Sequence, residues 1–80
     1  MTKGQVQKVD VGQIYRTLKD DLQTCVRFQR RGKPEMVKEY FGTDNWDEIQ
    51  KQLDVICKPF SFVQKVQIET VIAELHKFYI

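Results

Sequence analysis

One serine, one histidine, two cysteines and four single glycines leave this chain short of the parts that most enzymes are built from. Gly4, Gly12, Gly32 and Gly42 are scattered, so no glycine-rich loop is present to cradle a phosphate or a dinucleotide. Ser61 reads as a helix cap rather than a nucleophile. Cys25 or Cys57 with His76 would be the one route to a Cys–His pair. Both cysteines, however, fall on apolar helical faces, where a free thiol behaves as a small hydrophobe, and His76 reads as a solvated imidazole at the edge of its helix's apolar face. Zinc asks for about four ligands, usually in tight pairs such as C-x-x-C, and no such pair exists. Asp20-Asp21 and Asp47-Glu48 are adjacent, and neighbouring helical residues point apart, so neither forms a shared acid–base site. The expectation is a protein without catalytic residues, metal or cofactor.

Long apolar runs are missing too. No stretch approaches the ~20 residues that span a bilayer, and no apolar region follows Met1 as a secretory leader would require. There is no Asn-x-Ser/Thr acceptor. Free, buried thiols in a reducing cytoplasm and no membrane are the corresponding expectations. Met1 and the closing His-Lys-Phe-Tyr-Ile read as the ends of a complete small protein.

What is present fits one domain of 80 residues, with a flexible tail over 1–8 and a single helical domain over 9–80. A chain of this size buries only about 60% of its unfolded surface, and nine aromatics are many for so small a core, which makes a homodimer an expectation. Net charge is +2 but uneven: residues 1–40 carry 9 Lys+Arg against 5 Asp+Glu, and residues 41–80 carry 4 against 6. Such asymmetry suits an acidic partner or head-to-tail contact between copies.

Start and stop signals divide the domain into four helices, a compact all-α fold with a short second helix. Asp10 with Gln13 has capping-box spacing, and Val9 with Ile14 can staple the entry. The first helix then runs to about Arg31, with Gly32 as its stop. Pro34 suits the first position of a short helix ending at Phe41 and Gly42. Asn45 with Glu48 opens a third helix carrying Trp46, Ile49, Leu53, Ile56 and Cys57 on one face, halted by Lys58-Pro59. Ser61 with Gln64 opens the last, whose apolar face is Ile68, Val71, Ile72, Leu75, Phe78 and Tyr79. One stretch supports an alternative. Phe60, Phe62, Val66 and Ile68 alternate as a strand would, and residues 63–68 resemble residues 6–11. Pairing of the two strings as a short two-stranded ribbon would make the fold α+β; equivalence of the two would make the first and last helices a repeat.

The candidate site is a row of cations on the first helix. Arg16, Lys19, Arg27 and Arg30, with Gln23 in the gap, fall within about 80° of one another and extend over about 20 Å beside the apolar stripe. Arg31 and Lys33 continue the charge into the following corner. Tyr40, Trp46, Phe60 and Phe62 are the candidate aromatic contacts. Tyr40, Phe41 and Trp46 also read as a core cluster closing the turn between the second and third helices, and Phe60 and Phe62 cannot both face the core if that turn is helical. Residues 35–53 have helix–turn–helix length, but the exposed flank of the second of these helices offers Asp47, Glu48, Lys51 and Asp54, which phosphate would repel. The reading is a small non-enzymatic regulatory or adaptor protein that binds an acidic protein surface. The alternative is a nucleic-acid binder using the same cations against phosphates.

Overall fold

The computed structural model describes residues 10–80, and the cap at the start of α1 (Val11–Arg30) is the first feature in it. Asp10 accepts a hydrogen bond from the Gln13 N–H at 3.1 Å, which satisfies one of the orphan donors of the first turn. At the other end the Gly32 N–H reaches the Gln29 carbonyl and the Lys33 N–H reaches the Phe28 carbonyl, a Schellman ending. That ending needs a left-handed residue, and Gly32 supplies it at φ 74°. The expected tail over 1–8, the Val9 staple and the 6–9 part of the ribbon lie outside the described residues.

The second helix, α2 (Pro34–Phe41), has Pro34 in its first turn and ends on Gly42 at φ 73°. Asn45 caps α3 (Trp46–Cys57) by accepting from the Asp47 and Glu48 N–H groups. The Glu48 side chain accepts instead from the Thr43 hydroxyl. Ser61 and Gln64 form a complete capping box at the start of α4 (Phe62–His76): each side chain bonds the other's backbone, at 3.2 and 3.0 Å. A 3₁₀ turn, Lys77–Tyr79, ends the chain.

The fold is therefore all-α, with four α-helices among the described residues, and the ribbon alternative is overturned. Residues 63–68 are helical because the Ser61 box satisfies the first-turn donors that a strand would have to leave to a partner. The alternation of Phe60, Phe62, Val66 and Ile68 has another cause. Phe60 precedes the helix and is buried, while Phe62 and Val66 face outward from it.

Polar contacts set the helix directions. Tyr15 bonds Gln67 and Gln29 bonds Tyr79, so α1 and α4 run parallel. Tyr40 bonds Asp21 while Lys33 bonds Phe28, so α2 returns along α1. Trp46, at the start of α3, stacks on His76, at the end of α4, so these two run antiparallel. The core between them is apolar throughout: Leu18, Leu22, Cys25 and Val26 from α1, Val37 and Phe41 from α2, Ile49 and Leu53 from α3, Phe60, and Ile68, Val71 and Leu75 from α4. Two expected face residues end up exposed, Ile56 and Phe78. At the end of α4 the place expected of Phe78 is taken by Tyr79, whose ring leans on Trp46 and whose hydroxyl accepts from Gln29 at 3.1 Å.

Candidate functional site

The cations of α1 are held beside the core by residues that cannot turn away from it. Leu18, Leu22, Cys25 and Val26 fix the rotation of the helix, and Arg16, Arg27 and Arg30 are exposed on the adjacent flank. Lys19 is half-buried, with its ammonium 5.9 Å from the centre of the Tyr15 ring, at the outer reach of a cation–π contact. Gln23 is half-buried between them. Arg31 and Lys33 are exposed at the corner, as the cap residues that end α1 and begin α2. Among the described residues no carboxylate lies within 4.0 Å of any of these cations; the one ion pair at that limit is Lys38–Asp44, on another part of the surface. Asp20 borders the flank four residues after Arg16, so the row of positive charge has an acidic margin. Arg27 and Arg30 also sit in the last turn of α1, where cations complement the carbonyl end of the helix.

The four aromatics separate. Phe60 is 5% exposed, with its ring edge-on to Tyr15 at 5.6 Å, so it is a core residue and not a surface anchor. Phe62, two positions later, is 81% exposed. Tyr40 is exposed, edge-on to Phe41 and bonded through its hydroxyl to Asp21 at 2.8 Å. Burial and then that bond to Asp21 push the Tyr40 hydroxyl well above the usual tyrosine range. Trp46 is half-buried and does not close the α2–α3 turn with Tyr40 and Phe41; it lies flat on His76 at 4.5 Å. His76 is thereby stacked and half-buried rather than freely solvated.

Both cysteines are free, Cys25 buried and Cys57 only half-buried. Burial, and then Asp21, push the Cys25 thiol up to about 11. Burial also raises Cys57, helped by Asp54 and opposed by Lys65. Cys57 and His76 line the two ends of one cavity: Cys57 is the last residue of α3, and His76 stacks on the first, about 16 Å away along the helix. They make no Cys–His pair. Among the described residues no three His, Cys, Asp or Glu side chains converge on a common point. No helix of the described residues is long and apolar enough to cross a membrane.

That cavity, of about 450 Å³ between α3 and α4, is a feature that the sequence reading missed. Leu53, Ile68 and Ile72 are among its lining residues, and Asp54, Lys58, Lys65 and Glu69 are its charged members. Phe62 is a candidate contact from the sequence, but Val63 and Val66, exposed beside it on the outward side of α4, are not among those candidates. A sequence signal for that side exists: Val63, Val66, Thr70 and Ala73 recur at spacings of 3, 4 and 3, opposite the face assigned to the core.

The Tyr15–Gln67 bond places this side of α4 next to the basic flank. Lys19 lies over the Tyr15 ring, Tyr15 bonds Gln67, and Val63 stands one turn before Gln67 on the same side of α4. Positive charge on α1 and an apolar edge on α4 are thus neighbours across one seam. Comparisons of the chain with protein-family models, curated proteins and solved structures gave no match.

Proposed function

We propose that this protein is a small regulatory or adaptor module, without catalytic activity, that works in the cytoplasm by binding a protein with an acidic surface. The basic flank of α1 is the contact, and Val63 on the neighbouring α4 is its apolar edge. One observation carries the reading: Arg16, Lys19, Arg27 and Arg30 share a flank, and among the described residues none of them has an acidic partner within 4.0 Å. Charges left open in this way favour an oppositely charged surface that supplies the missing carboxylates. An exposed valine beside them favours a protein, which offers apolar groups together with charge, over a phosphate backbone, which offers charge alone. The net charge of only +2 and the acidic residues Asp47, Glu48 and Asp54 on α3 weigh in the same direction.

The charge-reversed pair Arg27→Glu and Arg30→Glu tests it. Both side chains are exposed, so the fold should persist by circular dichroism. Capture from the native host with nuclease present should retain an acidic protein on the wild type and lose it on the variant, mainly through slower association. Nucleic-acid binding is the competing result. Nanomolar binding to DNA or RNA, weakening by about 0.9 log units per phosphate contact for each decade of salt on duplex DNA, would replace the protein target with a phosphate backbone.

A further inference from the structure

Most surface helices hide one apolar face, but α4 carries apolar residues on two. Its inner side is fixed by Ile68, Val71 and Leu75. On its outer side Phe62, Val63 and Val66 are 81%, 62% and 47% exposed. Phe62 and Val66 lie about 60–100° of rotation beyond Val63, away from α1 and toward α3. Thr70 and Ala73 continue this side, exposed and small enough for another helix to approach closely. The spacing from Val66 through Thr70 to Ala73, 4 and then 3, is that of a helix–helix seam.

The α3-facing edge of the same side forms one wall of the 450 Å³ cavity, through Lys65, Glu69 and Ala73. The molecule therefore carries a knob, Phe62, and a hole, the cavity, on one edge of one helix. Phe62 stands in solvent and does not line the cavity of its own chain.

The geometry points to a second copy of this chain as the occupant, with two α4 helices packed antiparallel and each Phe62 seated at the mouth of the other's cavity. An antiparallel pair related by a two-fold axis brings like edges together in reversed order. With the axis beside Gln67 and Ile68, Lys65 of one copy lies opposite Glu69 of the other, and this happens twice. Phe62 then lies opposite Ile72 and Ala73 of the second copy. On the contact side the residue nearest the axis is Val66, which is uncharged, while Gln67 is turned to Tyr15 of α1, so no like charges meet on the axis. Parallel pairing would set this edge against the α1 side of the second copy and leave the cavity unfilled. The basic flank of α1 stays outside the contact, so the dimer stands or falls separately from the acidic partner.

Sedimentation equilibrium on the whole chain from about 1 to 500 μM gives the first test, with a micromolar dimer expected. Phe62→Ser should weaken it by about 100-fold or more, since a large anchor is lost twice. It should leave the fold intact, because the side chain is largely exposed and lies outside the core. Lys65→Glu and Glu69→Lys should each weaken the dimer by about tenfold, by setting like charges opposite one another. Their combination should restore it. Emission from Trp46, which lines the cavity, should shift with concentration in the wild type and not in Phe62→Ser. A wild type that stays monomeric throughout, or a dimer indifferent to Phe62→Ser, would overturn the proposal. So would a double variant no better than the single ones. Binding of the monomer to anionic vesicles through Phe62 would do the same, assigning the face to a lipid surface.

Discussion

Helices α1 and α4 lie side by side and parallel, yet they divide their residues differently. In α1 the apolar and charged residues occupy separate faces: Leu18, Leu22, Cys25 and Val26 inward, Arg16, Arg27 and Arg30 outward. Water completes the outer face of such a helix, and one core satisfies it. In α4 the inward Ile68, Val71 and Leu75 are matched by outward Phe62, Val63 and Val66, so the folded chain leaves apolar surface uncovered. The contrast separates two uses of a helix in a small domain. The segregated one presents charge to solvent, and the two-sided one presents an apolar face as well as a core-facing one.

The largest effect that would break the contrast is on stability. Leu22→Ala in α1 and Leu75→Ala in α4 remove fully buried side chains and should each cost about 2–5 kcal/mol in chemical denaturation. Phe62→Ser and Val63→Ser, measured at a concentration where the chain is monomeric, should stay within about 0.5 kcal/mol. A cost for Phe62→Ser as large as for Leu75→Ala would mean that the outer side of α4 is covered within a single chain.

A smaller effect concerns how the two helices begin. Ser61 and Gln64 cap α4 reciprocally, whereas Asp10 shows a single bond to the Gln13 N–H at the start of α1. Ser61→Ala should cost about 1 kcal/mol, and Asp10→Ala no more than that. A helix two-sided in apolar residues has a start less sharply marked by its own pattern, so the cap carries more of the decision about where it starts. Loss of helix around residues 61–66 by hydrogen exchange in Ser61→Ala would sharpen this point.

The smallest effect appears only in alkali. The Cys25 thiol is raised from 9.0 to about 11 by burial and by Asp21. Its folded-state value lies above its unfolded one, so its contribution to stability is complete below about pH 9 and is lost as pH rises toward about 11. Tyr40, raised by burial and by Asp21, acts in the same direction. Denaturation midpoints should therefore fall between about pH 9 and pH 11, and Cys25→Ala should flatten the slope. Below pH 8 a thiol reagent should reach half-buried Cys57 before buried Cys25. Equal rates would place Cys57 in the core alongside Cys25.

Much of the helical framework is legible in the sequence because its signals are local. Asp10, Asn45 and Ser61 cap where their spacing says they should, and Gly32 and Gly42 sit at positive φ where a left-handed residue is required. Pro34 and Lys58-Pro59 bound their helices through sterics that involve only their neighbours. The basic flank is equally legible, since four cations on one side of a helix follow from 3.6-residue periodicity. The aromatics are not. Phe60 and Phe62 differ by two positions and by a helix boundary, and one is buried while the other is exposed. Trp46 meets His76, 30 positions away, through a contact that no local pattern encodes.

The sequence by itself determined where the helices start and stop and which side of α1 carries charge, because caps, glycines, prolines and periodicity act within a few residues. Periodicity also named the inward side of α4, since Ile68, Val71 and Leu75 are buried as their spacing predicts. Only the tertiary structure decided that the second apolar side of that helix, Phe62, Val63 and Val66, is left uncovered, because whether a side is covered depends on what packs against it. Tyr15 takes Gln67 on one edge and Trp46 takes His76 on the other, so Ile68 and Leu75 turn into the core and Phe62 and Val66 are left outside. The cavity beside them has the same origin, since a space between α3 and α4 belongs to neither segment until both are in place.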